Sequence, residues 1–205
     1  MAMLQELELQ VLEVYSLLDT AVALFAKRTG LSCPQGCGHC CLSEKVEATV
    51  LECIPLAFLL FRTSQAEQVM QQLEHNRDDK RCVLYRPDLT EAGQWGCSQH
   101  SVRTVVCRLF GFAGNPGRDG VAQLALCRVM KEDRGANGIP IIPKDPLAPM
   151  PLFVEAGLRI TALHPGLGTV RLPINLALLQ ALMKVGMVLD LQANALADEE
   201  VSIKP

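Results

Sequence analysis

The chain has 205 residues, 49% hydrophobic and 20% charged, enough apolar material to core one domain with an extension and too much for a disordered chain. Its formal charge is −3 and its pI is near 5.8, so no basic excess exists to neutralise phosphates, and nucleic-acid binding is not expected. Aromatic residues make up only 4%, which predicts an aliphatic core, while nine cysteines are an unusual number for this length.

Residues 3–28 predict an amphipathic helix, because Leu4, Leu7, Val11, Val14, Tyr15, Leu18, Val22 and Phe25 recur at three- and four-residue steps and Gly30 marks a stop. A cysteine-rich loop follows from Ser32 to Leu42, kept irregular by Pro34, Gly36 and Gly38. Lys45 to Val50 alternates charged and apolar residues, as a short extended piece would. Thr49 with Glu52 has the form of a capping box opening a helix through Phe61, in which Pro55 predicts a kink or a shifted start. Ser64 to about Asp79 carries one narrow apolar stripe (Val69, Met70, Leu73) and predicts a surface helix.

From Arg81 to Arg134 prolines and glycines break every regular pattern. Ile139 to Pro151 then holds five prolines and reads as an extended connector. Two further helices are expected at Pro151–Leu163 and Asn175–Leu191, separated by the turn His164-Pro165-Gly166, and Ala197 to Pro205 is expected as a loose tail. The expected fold is mainly α: an irregular cysteine-rich metal-binding domain with packed N- and C-terminal helices. Residues 1–134 would form the N-terminal helix and the cysteine domain. Residues 135–205 would form the connector and a helical extension packing on the same core.

The expected compartment is the cytosol, with no membrane partner. The first basic residue is Lys27, preceded by Glu6, Glu8 and Glu13, unlike a secretory leader. The apolar stretches are interrupted by Asp19, by Glu52 and Pro55, and by Lys184, short of the ~20 uninterrupted residues of a membrane span. In a reducing cytosol clustered cysteines hold metal or do redox chemistry more often than they form structural disulfides.

Cys33, Cys37, Cys40 and Cys41 fall in Cys-Pro-Gln-Gly-Cys-Gly-His-Cys-Cys, spacings that let thiolates converge with little loop-closure cost. Cys82, Cys97, Cys107 and Cys127 follow. Adjacent side chains usually diverge, so Cys40 and Cys41 on one tetrahedral centre would be strained, and one of them is free to bind a second metal or to bridge. Eight thiols suit two four-thiolate zinc sites, or an iron–sulfur cluster with further ligands. Cys53, in an apolar helix, is expected as a small core residue.

This order resembles the YkgJ-type cysteine-cluster family, a zinc- or iron-chelating domain with a CxxCxxCC-like motif. The opening cluster has one residue more in its first gap than the family pattern. Cys82-Val83-Leu84-Tyr85 matches the second element without its proline, and Cys97 keeps only the cysteine of the third. Arg103-Thr104-Val105-Val106-Cys107-Arg108-Leu109-Phe110 matches the fourth with threonine for proline, and Cys127 is similar to the final cysteine. The resemblance covers about Cys33 to Cys127. It implies metal ligation by Cys33, Cys37, Cys40, Cys41, Cys82, Cys97, Cys107 and Cys127. It also implies a relation to flagellin lysine N-methylases, and with it an iron–sulfur cluster used in S-adenosylmethionine chemistry.

Zinc is the simpler occupant, since closed thiolate sites are usually structural. Eight thiolates against two dications leave about four negative charges, which Arg81, Arg103, Arg108 and Arg128 flank. Iron is the occupant that the methylase relation implies. Cys33, Cys37 and Cys40 have radical-SAM spacing, but the strand–helix alternation of that fold is missing. Cys37-Gly38-His39-Cys40 spells a disulfide-isomerase tetrapeptide, without the strand such a site follows. His39 and His100 adjoin cluster cysteines as substitute ligands, His75 and His164 read as surface, and Trp95 as a cover for the site. The function expected is a cytosolic metal-binding protein holding zinc or an iron–sulfur centre. The alternative is an S-adenosylmethionine-linked protein lysine methyltransferase, and a third class is an interaction module presenting its leucine-rich terminal helices to a protein partner.

Overall fold

The computed structural model describes residues 2–34, 36–92, 94, 96–117, 122–133 and 149–202. Trp95 and residues 139–148 of the expected proline-rich connector lie outside the described residues. In chain order the elements are α1 (Ala2–Thr29), a short 3-10 turn (His39–Leu42), β1 (Glu47–Thr49), α2 (Val50–Arg62), α3 (Ala66–His75) and α4 (Pro87–Glu91). A second 3-10 turn (His100–Val102), α5 (Val105–Leu109), β2 (Gly114–Pro116), β3 (Ala122–Leu124) and α6 (Arg128–Asp133) follow. The chain closes with α7 (Phe153–Leu163), α8 (Pro165–Gly168), β4 (Arg171–Pro173) and α9 (Ile174–Ser202). The fold is mainly α, as the periodicities predict.

Local chemistry accounts for the helix ends. Gly30 stops α1 at φ +70°, where its N–H bonds Ala26 O at 2.8 Å, a left-handed cap that residues with a Cβ rarely adopt. The capping box at α2 is complete: Glu52 N donates to Thr49 Oγ1 at 3.2 Å, and Thr49 N donates to Glu52 Oε1 at 3.0 Å. Pro55 sits inside α2 without ending it, because the helix is buried by packing on both sides rather than by its own ladder alone.

One aliphatic core joins the two ends of the chain. Leu4, Leu7, Val11, Val14 and Tyr15 of α1 meet Leu51, Ile54, Phe58 and Leu60 of α2, and these meet Ala177, Leu178, Leu182 and Val185 of α9. Leu51, Ile54, Leu60, Leu178 and Leu182 are fully buried, each contributing about 2 kcal/mol on leaving water. Two cross-links fix α1 on α2: the Tyr15 hydroxyl donates to Glu52 O at 2.6 Å, and Arg62 pairs through both guanidinium NH2 groups with the Glu8 carboxylate, NH1 to Oε2 at 3.1 Å. A second, smaller core of Phe25, Leu31 and Met130 collects Phe112, Leu124, Leu126, Cys127 and Met150.

The strands are short ties. β1 pairs antiparallel with β4 in the register Glu47↔Pro173, Ala48↔Leu172, Thr49↔Arg171, and β2 with β3 as Gly114↔Leu124. The first tie brings the start of α9 beside the cysteine loop.

Three expectations are corrected. His164-Pro165-Gly166 is not a plain turn but the start of α8, whose Leu167 N donates to His164 Nδ1 at 3.2 Å. His164 is therefore a half-buried helix cap rather than a bare surface residue. The expected tail is helical through Ser202, since Ala195, Leu196, Ala197, Glu199 and Glu200 are strong helix formers that extend α9. Met3–Thr29 and Ile174–Ala195 are long and apolar enough, by length and composition, to cross a membrane, which the interruptions at Asp19 and Lys184 hide in the sequence. Their inner faces build the core just described, while Leu9, Leu17 and Leu24 on α1 and Met183, Met187 and Leu191 on α9 are exposed.

Candidate metal centre

The cysteine loop is built by close backbone contacts. Cys37 N bonds Pro34 O at 3.1 Å and Cys41 N bonds Gly38 O at 3.0 Å, which winds the loop into the 3-10 turn carrying Cys40 and Cys41. The next cysteine segment docks on it, with Cys82 N donating to Cys41 O at 3.3 Å. Tyr85 bridges Cys97 through Arg86 N to Gly96 O at 2.8 Å and Ser98 N to Leu84 O at 3.0 Å. Gly38 and Gly96 pack face to face: a Cβ on Gly96 would stand 2.7 Å from Gly38 Cα and 2.6 Å from Thr90 Oγ1. The contact explains why neither position carries a side chain. Thr90 Oγ1, sealed there, has no hydrogen-bond partner among the described residues.

The C-terminal helix reaches the same segment through Asn175 in its first turn. Its Oδ1 accepts from Val83 N at 3.0 Å, and its Nδ2 donates to Asp79 O at 3.1 Å and Arg81 O at 2.8 Å. Cys82 is thus stapled on one side to the opening cluster and on the other to α9.

Arginines hold the remaining wall. Arg108 is buried, with its side chain only 2% exposed. It donates Nε to Arg103 O at 2.8 Å and its two terminal nitrogens to Asp19 and to Ser101 O, and its guanidinium lies 4.2 Å from the centre of the Tyr15 ring. Arg103 donates Nε to Cys107 O at 3.3 Å and NH1 to His100 O at 2.9 Å. The same NH1 stands 3.0 Å from His100 Nδ1. Arginine can only donate, so that ring nitrogen is an acceptor and the imidazole is neutral. Glu52 supports this wall from behind, accepting from Val105 N at 2.9 Å at the start of the helix that carries Cys107.

All eight expected cysteines line one cavity of about 290 Å³, together with His39, His100, Arg103 and Arg108. Cys53 is fully buried within α2 and does not line it. Leu56, Leu84, Phe110, Phe112, Ile174 and Leu178 supply apolar walls. Arg81 stands elsewhere: it is exposed, paired with Asp79 at 2.7 Å, and faces a polar cleft on the other side of Cys82. His75 is exposed on α3, as expected.

The thiols act on one another strongly. Burial, then Cys37, push Cys33 up to about 12, and burial pushes Cys107 up to about 12 and Cys82 upward as well. Cys41 is held protonated, foremost by its hydrogen bonds with Cys40 and Cys97. The same bonds favour thiolate on either side, drawing Cys40 down to about 7 and Cys97 downward. Without a cation, burial therefore resists ionisation of most of the set, and a bound metal would supply the missing charge as protons leave. The donor set is all sulfur, gathered and shielded, and it fits zinc or iron. The shell is gathered rather than closed: among the described residues no three His, Cys, Asp or Glu side chains already stand in a metal-holding group.

Asn175, Glu52 and the Gly38–Gly96 contact were not legible as parts of this site. Asn175 acts on Val83 across 92 positions, and the only local signal is an asparagine at the start of an apolar run.

Half-buried thiols converging on one cavity, with cationic side chains in its wall, define a thiolate-rich metal-binding domain. Residues 32–133 belong to the CxxCxxCC family, described as "Putative zinc- or iron-chelating domain", and this segment holds all eight cysteines. No curated protein and no solved structure matches the chain.

Proposed function

We propose that the chain is a cytosolic metal-binding protein that holds zinc or an iron–sulfur centre through Cys33, Cys37, Cys40, Cys41, Cys82, Cys97, Cys107 and Cys127. One observation carries the reading: a single cavity gathers these eight and leaves out Cys53. Sequence distance makes the convergence informative, because the last ligand lies 94 positions from the first. The chain's own residues supply burial, four-thiolate softness, and two arginines that offset the charge of the thiolates. The bound metal supplies the cross-link that the small irregular segments lack, so its binding energy is folding energy.

The test is metal content and an absorption spectrum on protein purified without oxygen. Zinc in colourless protein assigns a structural centre. Iron with sulfide and a broad band at roughly 400 nm assigns a cluster. Eight freely titratable thiols with no metal would overturn the proposal.

A second reading, S-adenosylmethionine-linked protein lysine methyltransfer, is favoured by one feature. A polar cleft of about 590 Å³, between α3 and the Asp79–Pro87 segment, shares Cys82, Leu84 and Gln99 with the wall of the cysteine cavity. A substrate seated there would lie one side chain from the centre. Binding of the methyl donor to metal-loaded protein tests this reading, and a loaded protein that binds none would refute it.

A further inference from the structure

We propose that the eight thiols divide into two four-thiolate centres, Cys33, Cys37, Cys40 and Cys127 in one and Cys41, Cys82, Cys97 and Cys107 in the other. This rests on the metal-binding reading above and assigns the ligands within it.

The division follows the two cores. Cys82, Cys97 and Cys107 pack against the main core, whereas Cys127 packs against the smaller one, beside Leu31 and Met130. Leu31 anchors the chain two residues before Cys33, so the small core holds both ends of the first set. Met130 N donates to Cys127 Sγ at 3.3 Å, which fixes that thiol at the start of α6. Cys33 lies close enough to Cys37, Cys40 and Cys127 to feel their charge.

The second set is tied together independently. Cys82 N donates to Cys41 O at 3.3 Å, and the Tyr85–Cys97 bridge holds Cys97 beside the same segment. The thiols that act most strongly on Cys82 are Cys107, Cys97 and Cys40. Thr104 Oγ1 bonds Cys107 Sγ at 3.5 Å and so orients the fourth member.

Cys40 neighbours both sets, acting on Cys33, Cys41, Cys82, Cys97 and Cys107. Counting places it. The second set already has four sulfurs, the number a closed tetrahedral site takes, and the first has three without it. Local geometry agrees, since consecutive residues of a 3-10 turn project about 120° apart, and Cys40 and Cys41 occupy such a turn. Sulfurs on one tetrahedral metal stand about 3.8 Å apart, for metal–sulfur bonds of about 2.3 Å, so each set has to draw together as it binds.

The experiment measures zinc, iron and acid-labile sulfide per chain on anaerobically purified full-length protein and on Ala variants, with circular dichroism to report folding. Cys127→Ala and Cys40→Ala should each retain half of the wild-type metal, and the double variant of the two should also retain half. Pairing Cys127→Ala with Cys97→Ala should retain none. Total loss in Cys127→Ala or Cys40→Ala, or a further loss in their double variant, would overturn the division. If Cys97→Ala does not fold, the Cys40 and Cys127 variants still decide. Wild-type protein that carries no metal would instead refute the metal-binding reading itself.

Discussion

Asn175→Ala isolates the contribution of the C-terminal helix to the cysteine site. The substitution removes three hydrogen bonds, from Val83 N and to the carbonyls of Asp79 and Arg81. A net intramolecular hydrogen bond is worth about 1 kcal/mol. The bond to Arg81 O is exposed, where water substitutes for the lost donor, so about 2 kcal/mol remains for the two half-buried ones. Cys82 would keep its bond to Cys41 O but lose the support behind it. Because ordering the ligand segment and binding metal are linked, about 2 kcal/mol translates into metal affinity weaker by roughly thirtyfold. Chelator competition on the loaded protein measures this directly, with thermal unfolding in parallel. Asn175→Asp keeps the acceptor for Val83 but turns two donors into an acceptor facing two carbonyls, and should be no better than Ala. Affinity within twofold of wild type in Asn175→Ala would refute the staple, even if the helix itself were destabilised.

Gly96→Ala would drive a methyl group to 2.7 Å from Gly38 Cα, against backbone that cannot rotate away, and should cost more than about 2 kcal/mol with loss of metal; metal content equal to wild type would refute the close approach. Glu52→Ala removes the acceptor of Thr49 N, Thr49 Oγ1 and Val105 N, a loss of about 3 kcal/mol in denaturant unfolding, and a change under about 1 kcal/mol would show those bonds to be idle. Burial, then Arg103 and Arg108, hold the His100 ring down at about 4. The unfolded ring, near 6.5, takes its proton first, so this contribution to stability is present above that value and fades as pH falls toward 4. NMR should show a ring silent through neutrality, and titration near the ordinary value would contradict the buried Arg103 contact. Cys53→Ala should keep full metal at a stability cost of about 1 kcal/mol, while Cys107→Ala should lose the half held by its own centre; the reverse outcome would refute the ligand assignment.

Local pattern was sufficient for much of the scaffold. The apolar repeat of α1, the Gly30 stop and the Thr49–Glu52 box each depend on residues within one or two turns, where spacing alone dictates which side chains and backbone groups can meet. The eight cysteines were legible too, because soft-ligand chemistry restricts the residue type and the order resembles a known family. Their grouping was not, since spacings of 15, 10 and 20 residues impose no geometry.

What only the tertiary structure decided are contacts between residues that share no local pattern. Arg108 is written in the sequence as one arginine among several, and becomes buried only because α1 brings Asp19 and Tyr15 to it across 89 and 93 positions. Glu52 is a helix cap by sequence, yet its second oxygen caps α5 as well. Asn175 depends on the β1–β4 tie that carries α9 to the Cys82 segment. By itself the sequence determined the longer helices and the identity of the thiols, because periodicity and ligand chemistry act at short range, whereas the short helices α4, α5, α6 and α8 carry too few residues to show a period. Which thiols face one another, and which side chains hold them there, was left to the packing of two cores, because a buried polar group takes whichever partner the folded chain delivers to it.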